Sequence, residues 1–463
     1  MGEKGYLTSL EQIQEGKDFP TSGICDRLSE LHDYKELYEG EQAEVYKEQF
    51  KRVGKIQEPW VNEVTYETVI NYQKKISDKV VELLLGEVPT LNAGVGKIVE
   101  QASIDLIIEN TDLWNTLPQA IIDVTRYGDA VLQIYEENGH GQIDVIPTEY
   151  WIPIVDSNNI KKTLNHVIFR IFDNGGTAGT YKEYVQFIVH YKGYYETYVH
   201  ELSKGKIAKL VKPMTITQTG LTDFAIIVIS NVTTSDKVFG QSDYKDINPI
   251  ASEILVRTAQ INKVLDKHTD PSISAPSSAF DRDTMTGEKF LKMGDAFEND
   301  GGKVEYVTWE ANLKENREQR DFLKQELYSQ SGLGGLFMGN EIEKLGGNIS
   351  GVALKRLAMN ATSKITKLQS RVRNPLIKAL KLTSELGGVG ITNLQGTPVT
   401  ITFGDPLPLS DLERAEIAAA FTGNKQIMSQ STAMENYTDL SDKQCKEELL
   451  KIAAEQSIVV KPI

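Results

Sequence analysis

The chain has 463 residues, of which 40% are hydrophobic and 25% charged, so it can bury a large core and is expected to fold as two or more domains. A formal net charge of -15 argues against a protein that grips nucleic acid through clustered Lys and Arg, but not against one whose acidic wall lets a polyanion slide, and acidity also serves plain solubility. No run of about 18 uncharged apolar residues occurs, the amino terminus lacks the apolar centre of a signal peptide, and Cys25 and Cys445 lie far apart without a CxxC partner, so a reducing, cytosol-like compartment is expected.

Leu28, Leu31, Tyr34, Leu37 and Tyr38 recur at helical spacing and predict a helix or helix pair within residues 24–54. Ile76, Val80, Leu83 and Leu84 share one face of the next predicted helix, with Gly86 as its stop and Pro89 closing the exit. A third helix is predicted from Lys97 to Tyr127, ending at Gly128. Ala130 to Tyr135 reads as a strand, and Asn138-Gly139 as a turn into a second strand at Gln142 to Ile146. From His166 to Pro213 the apolar period shifts to two, which predicts a β-meander. An apolar strand at Phe224 to Ile229 follows.

The centre of the chain is more organised. Asn248 followed by Pro249 reads as an N-cap with Pro at the first helical position, and Ile250, Ile254, Ile261, Val264 and Leu265 give one stripe running to about His268. Residues 271–309 form an insert punctuated by Pro and Gly, with Lys303 to Trp309 as its clearest strand. A second helix from about Asn312 to Ser329 carries Leu313, Phe322, Leu323 and Leu327 on its apolar side, so the two helices are expected to lie side by side with the insert at their far end.

Residues 331–351 contain seven glycines and are predicted to be a flexible loop. A long helix from Val352 to Leu386 follows, kinked at Pro375, with eight bases against Glu385 alone. That basic face is open to two readings, a neighbouring acidic surface or solvent and DNA. A strand at Pro398 to Phe403 precedes a helical, acid-rich end from Pro408.

Catalytic signatures fail one by one. Gly94-Val95-Gly96-Lys97 lacks the spaced glycine and the hydroxyl of a phosphate loop, and Phe337 stands where the dinucleotide pattern needs its third glycine. The six histidines form no HxH or HExxH pair, no Gly-x-Ser-x-Gly elbow occurs, and the acid pairs at Glu136-Glu137, Glu341/Glu343 and Glu447-Glu448 read as solvated faces. No catalytic residue, metal or cofactor is expected.

Six phrases in order, LYEG at 37–40, LLLGEVPTL at 83–91, YGDAVLQIY at 127–135, IPTEYWIPIVD at 146–156, GQSDYKDINPIASEILV at 240–256 and SGVALKRL at 350–357, resemble the portal proteins of long-tailed bacteriophages infecting Gram-positive hosts. The resemblance runs from about residue 30 to 410. It implies an α+β, mainly helical subunit with an amino-terminal arm (1–29), a wing of helices and β-meander (30–240), a first stem helix (241–270), a small β-containing clip (271–309) and a second stem helix (310–330). A tunnel loop (331–351), a long kinked helix with a returning wing strand (352–407) and a helical crown (408–463) complete it.

The implied function is structural and not enzymatic: a homo-oligomeric ring, usually of twelve, at a capsid vertex, through which double-stranded DNA is packaged and ejected without sequence preference. The implied partners are the terminase, a head-completion or adaptor protein, and the major capsid and scaffolding proteins, with no membrane; the ring is assembled in the bacterial cytoplasm and carried in the virion. Gly339, Asn340, Glu341, Glu343, Lys344 and Asn348 of the tunnel loop are the implied DNA-facing residues. Lys263, Lys267, Lys314, Arg317, Arg320 and Lys324 on the stem helices would line the channel, or face solvent or a neighbour. The competing classes are an enzyme acting on nucleic acid and a capsid-associated adaptor without a DNA channel.

Overall fold

Strand alternation and three helix stops set the architecture of the first 404 residues. In the computed structural model, the described residues are 5–53, 67–176, 181–269, 273–276, 281–282, 289–290, 296–299, 305–306, 313–338, 356–405, 411–423, 427–438 and 442–459. Helix α1 (Ser22–Glu39) ends where Gly40, at φ +108°, turns its N–H back onto the Glu36 carbonyl. The boundary expected at residue 29 therefore falls inside a helix. Helix α2 (Tyr72–Leu85) starts on Asn71, whose side chain accepts from the Lys74 N–H at 2.8 Å.

The single helix expected from Lys97 to Tyr127 is instead two, α3 (Ile98–Asn110) and α4 (Leu113–Tyr127). The break sits at Asp112, which adopts φ +46°, a left-handed conformation that a short polar side chain tolerates better than most. Gly128 then stops α4 at φ +89°.

Strand β1 (Thr90–Asn92) precedes α3, and β2 (Asp129–Glu137) and β3 (His140–Ile146) form the expected hairpin, with Asn138 and Gly139 both at positive φ. The meander is β4 (Trp151–Val155), β5 (Thr163–Asp173), β6 (Glu183–His190), β7 (Tyr194–Ser203) and β8 (Lys206–Gln218), antiparallel in that spatial order. Strand β9 (Ile226–Ser230) leaves the meander and pairs with β2, giving the order β3-β2-β9. Side-chain alternation then divides the cores. Ala130, Leu132 and Ile134 of β2 enter the main helical core, whereas Val131 meets Trp151 and Ile168 between the two sheets. Val167 and Phe169 of β5 face a third cluster that Leu7, Ile13, Phe19 and Ile24 complete, so the described part of the amino-terminal segment belongs to the meander's core.

Helix α5 (Tyr244–Thr269) begins earlier than expected. Asn248 is no cap: its side-chain oxygen accepts from Gln73 at 3.0 Å, and Pro249 lies within the helix. The start is set instead by Ser242, whose hydroxyl accepts from the Tyr244 N–H at 3.0 Å. Of the insert, β10 (Ile273–Pro276), β11 (Asp281–Arg282), β12 (Lys289–Phe290), β13 (Ala296–Asn299) and β14 (Glu305–Tyr306) are described. Strand β10 pairs with β13 in parallel and with β14 antiparallel, and β11 pairs with β12. Helix α6 (Leu313–Gln330) returns against α5.

Helix α7 (Met359–Glu385) runs through Pro375 and buries Ile365, Leu368, Val372, Leu376 and Leu380 in the main core. Strand β15 (Thr400–Thr402) then pairs antiparallel with β1, Leu91 opposite Ile401.

Residues 405–463 form a separate unit. Helix α8 (Asp411–Thr422) packs on α9 (Gln430–Tyr437), and α9 on α10 (Asp442–Val459), with the Phe421 and Tyr437 rings stacked at 6.4 Å. Cys445 is buried here, Cys25 is exposed on α1, and both are free thiols. Among the described residues no helix is long and apolar enough to cross a membrane.

One buried pair is expected to make the fold acid-sensitive. His166 and His190 face each other across β5 and β6, and among the described residues neither ring nitrogen of His190 meets a hydrogen-bond partner. Burial pushes the His166 imidazole down to about 3, with the nearby His190 and Lys378 charges adding to it, and burial pushes His190 down to about 4. Both are neutral in the fold and charge on unfolding. Their contribution is therefore complete above the unfolded imidazole value near 6.5 and is lost as pH falls toward these lower values, by about 1.4 kcal/mol per pH unit for each ring. A His190→Leu variant is expected to show a shallower acid limb than wild type in thermal melts taken from about pH 7 to about pH 4.5. Parallel limbs would show that the pair does not control it.

Candidate functional site

The α5–α6 pair and the glycine-rich segment after it are held from several sides. Glu253 of α5 takes Arg52 at 2.5 Å and Arg257 at 3.0 Å, and Asn262 donates to the Thr68 hydroxyl at 3.0 Å. Lys263 donates to the Val53 carbonyl at 2.6 Å, so this predicted channel residue is half-buried and engaged within the subunit. Lys267 lies on α5, with its side chain outside the described residues.

On α6, Lys314, Arg317, Arg320 and Lys324 fall within an arc of about 120° at 100° per residue. Lys314 is exposed and lies 3.9 Å from Glu318, and Arg317 is exposed. Arg320 pairs with the adjacent Asp321 at 2.9 Å, and the Lys324 ammonium stands 5.9 Å from the Tyr328 ring. The apolar side expected of α6 is only partly covered: Leu327 is fully buried and Leu323 half-buried, but Phe322 is 58% exposed, as is Leu265 on α5 at 39%.

The segment 331–351 does not behave as a loop from its first residue. Ser331, Leu333, Leu336 and Met338 are buried, and Gly334–Phe337 makes one helical turn. Gly332 and Gly334 supply the turns, at φ +73° and +71°. Two lysines hold the root. Lys364 of α7 donates to the Ser331 carbonyl at 2.7 Å, and Lys75 of α2 donates to the Met338 carbonyl at 2.8 Å.

Lys364 also pairs with Asp243 at 2.7 Å, Asp243 accepts from the Asn231 amide at 2.9 Å, and Arg371 donates to Asn231 at 3.2 Å. The loop root, the start of α5 and the basic helix α7 are thus one polar network. Sequence reasoning counted Lys364 and Arg371 only as charge, and nothing marked Lys75, Asn231 or Asp243. The six expected DNA-facing residues, Gly339, Asn340, Glu341, Glu343, Lys344 and Asn348, lie outside the described residues.

The start of α5 is fixed by a close backbone crossing. Gly128 and Gly240 approach so nearly that a Cβ on either would overlap the other's carbonyl oxygen. Asn231 donates its N–H to the Gly128 carbonyl at 2.8 Å, and the Gly240 N–H reaches Asp129 at 3.0 Å. Asp129 is buried beside Arg27, 4.0 Å away, whose guanidinium lies over the Phe239 ring at 3.3 Å. Desolvation pushes the Asp129 carboxyl up and the Arg27 guanidinium down to about 10. Among the described residues no group of three His, Cys, Asp or Glu is placed to hold a metal ion.

The family model for phage portal proteins of the SPP1 Gp6-like type matches residues 218–460, more than half of the 463 residues. The chain belongs to the SPP1 Gp6-like phage portal protein family. Membership makes this portal protein a component of a phage particle with a portal or head-to-tail connector role. The matched span contains α5, the insert, α6, the glycine-rich segment, α7 and most of the separate helical unit, and the α+β architecture is the portal-like one expected from the sequence.

Similar solved structures include a chain from the neck of an empty GTA particle computed with C6 symmetry, at TM-score 0.43 and 12% identity, covering 79% of this chain and 89% of that chain. A chain from the neck of a native GTA particle computed with C12 symmetry has TM-score 0.40 and 14% identity, covering 78% of this chain and 92% of that chain. No curated protein matches the sequence.

Proposed function

We propose that this portal protein, from a long-tailed phage of Gram-positive bacteria, forms a dodecameric ring at one capsid vertex. Double-stranded DNA passes through the ring during packaging and ejection, and the ring docks the terminase and the head-completion protein while contacting the major capsid and scaffolding proteins. It assembles in the host cytoplasm and acts as a structural conduit without catalysing a reaction. In this reading α5 and α6 are the stem, 271–309 the clip, the residues between Met338 and Arg356 the tunnel loop, and 408–463 the crown; the wing takes most of what precedes α5.

The observation that carries the reading is the order of α5, insert, α6 and a glycine-rich segment rooted by Lys364 and Lys75, all within the span matched by the portal family. Phe322, 58% exposed on α6, is available to a neighbouring copy in such a ring. The net charge of -15 suits the inside of a conduit, because it leaves no deep electrostatic well for a phosphate backbone.

The test is direct. Negative-stain images of the purified protein are expected to show rings with a central opening; a monomer at every concentration and salt tried would remove the reading. Because Leu336 and Met338 are core residues, a loop deletion must begin beyond them. Removing residues 340–347 is expected to leave rings intact while the DNA packaged per particle falls. Unchanged packaging would show that the segment does not touch DNA.

A further inference from the structure

Helix α7 carries six bases and one acid. Three of the bases are satisfied inside the subunit: Lys364 by Asp243, Arg371 by Asn231, and Lys378 by Asp223 at 2.7 Å. Lys381 reaches the Gln395 carbonyl at 3.4 Å. Lys367 and Arg373 are exposed, with no ion pair or hydrogen bond among the described residues. Lys367 sits on a face shared by Asn360, Ser363, Ser370 and Asn374, residues three or four apart that are all exposed and include no acid. Met359, 66% exposed, opens the same face one turn before Ser363.

Helix α1 presents the opposite pattern. Asp26, Glu30 and Asp33 follow at i, i+4 and i+7 on its exposed side. Glu30 is shared with Lys245 at 3.7 Å, while Asp26 and Asp33 have no partner among the described residues.

We propose that the exposed face of α7, centred on Lys367 and flanked by Arg373, docks against the acidic face of α1 from a second copy of this chain. The inference rests on the ring reading and deepens it by naming the two surfaces that meet. A ring built head to tail needs two different patches that complement each other, and these two are opposite in charge and belong to different elements. Duplex DNA is the other polyanion such a face would attract. The fit is poorer: Met359 gains nothing from phosphate, and the chain as a whole repels it. Opposite charge here sets partner choice and register more than raw affinity.

The experiment uses two charge reversals in the full chain, with assembly read as native mass and folding by circular dichroism. One variant combines Lys367→Glu with Arg373→Glu, the other Asp26→Lys with Asp33→Lys. Each alone juxtaposes like charges, so the concentration needed for assembly is expected to rise about tenfold or more, since such contacts cost several kcal/mol. An equimolar mixture is expected to recover the wild-type mass, because every contact in an alternating ring is again between opposite charges.

Assembly of the α7 variant at the wild-type concentration overturns the proposal; if that variant also loses affinity for a random-sequence duplex, the face is a DNA surface. Failure of the mixture to recover assembly overturns the pairing. Should a variant fold poorly, wild-type assembly still decides the matter. It must weaken as salt rises, and salt-insensitive rings exclude an interface of this kind. Absence of any wild-type assembly is a different result, which removes the ring reading itself.

Discussion

Gly128→Ala is expected to destabilise the portal protein by about 2–5 kcal/mol, combining the left-handed backbone penalty with overpacking of a contact that has no room. Gly128 stands at φ +89°, and its new methyl would meet the Gly240 carbonyl, which is backbone and cannot rotate away. Gly139→Ala is the internal control. It has φ +81° with nothing within 4 Å of the added carbon, so it bears the conformational cost alone, about 1–2 kcal/mol. Thermal melts of the two variants side by side separate strain from collision. Equal losses would show that the crossing relaxes freely. Because the segment carrying Gly240 leads into Ser242 and the start of α5, the lost stability should appear first as weakened ring formation.

Asp129→Ala is expected to cost about 3–5 kcal/mol, the range for removing one partner of a buried ion pair. Asp129 is 1% exposed and accepts from the Ser230 hydroxyl at 2.6 Å and from the Gly240 N–H, while Arg27, 12% exposed at its side chain, has no other counter-charge so near. Truncation leaves that guanidinium buried among Trp151 and Phe239 without its near counter-charge. Asp129→Asn retains an oxygen for the Gly240 N–H and should cost less. The double variant Arg27→Met, Asp129→Leu should recover a large part of the loss, since a packed apolar pair avoids desolvating two charges. Chemical denaturation of wild type, Arg27→Met, Asp129→Leu and the double variant gives the coupling directly. Additive losses would show that the two charges do not sense each other.

What could be read from the sequence was local. Gly128 as a stop, the Asn138-Gly139 hairpin, the period-two meander and the order of helix, insert, helix and basic helix each rest on a few adjacent residues. What could not be read was long-range. Nothing near Ile226 says that β9 abandons the meander to pair with β2, a hundred residues earlier. Asn248-Pro249 has the composition of a helix start, yet Ser242 caps first and Pro249 is carried inside the helix as its sixth residue, past the four free N–H groups.

The glycine count of residues 331–351 suggested mobility throughout, but Leu333, Leu336 and Met338 are apolar enough to be drawn into the core, and two distant lysines fasten the Ser331 and Met338 carbonyls. Charge alone could not separate Lys364, Arg371 and Lys378, which are used internally, from Lys367 and Arg373, which face outward. On the stem, Lys263 looked like a channel cation and is tied to Val53.

The pairing of β1 with β15 joins residues 90–92 to residues 400–402. The helical core that opens with Leu31 is closed by Leu394, Val399 and Ile401, and such distant contacts form late because a long loop must first be drawn shut. During synthesis, a nascent chain that has not yet delivered residue 402 lacks the closing side of its own interior. A subunit released before that point would offer neighbours an unfinished apolar flank in place of its finished outer faces.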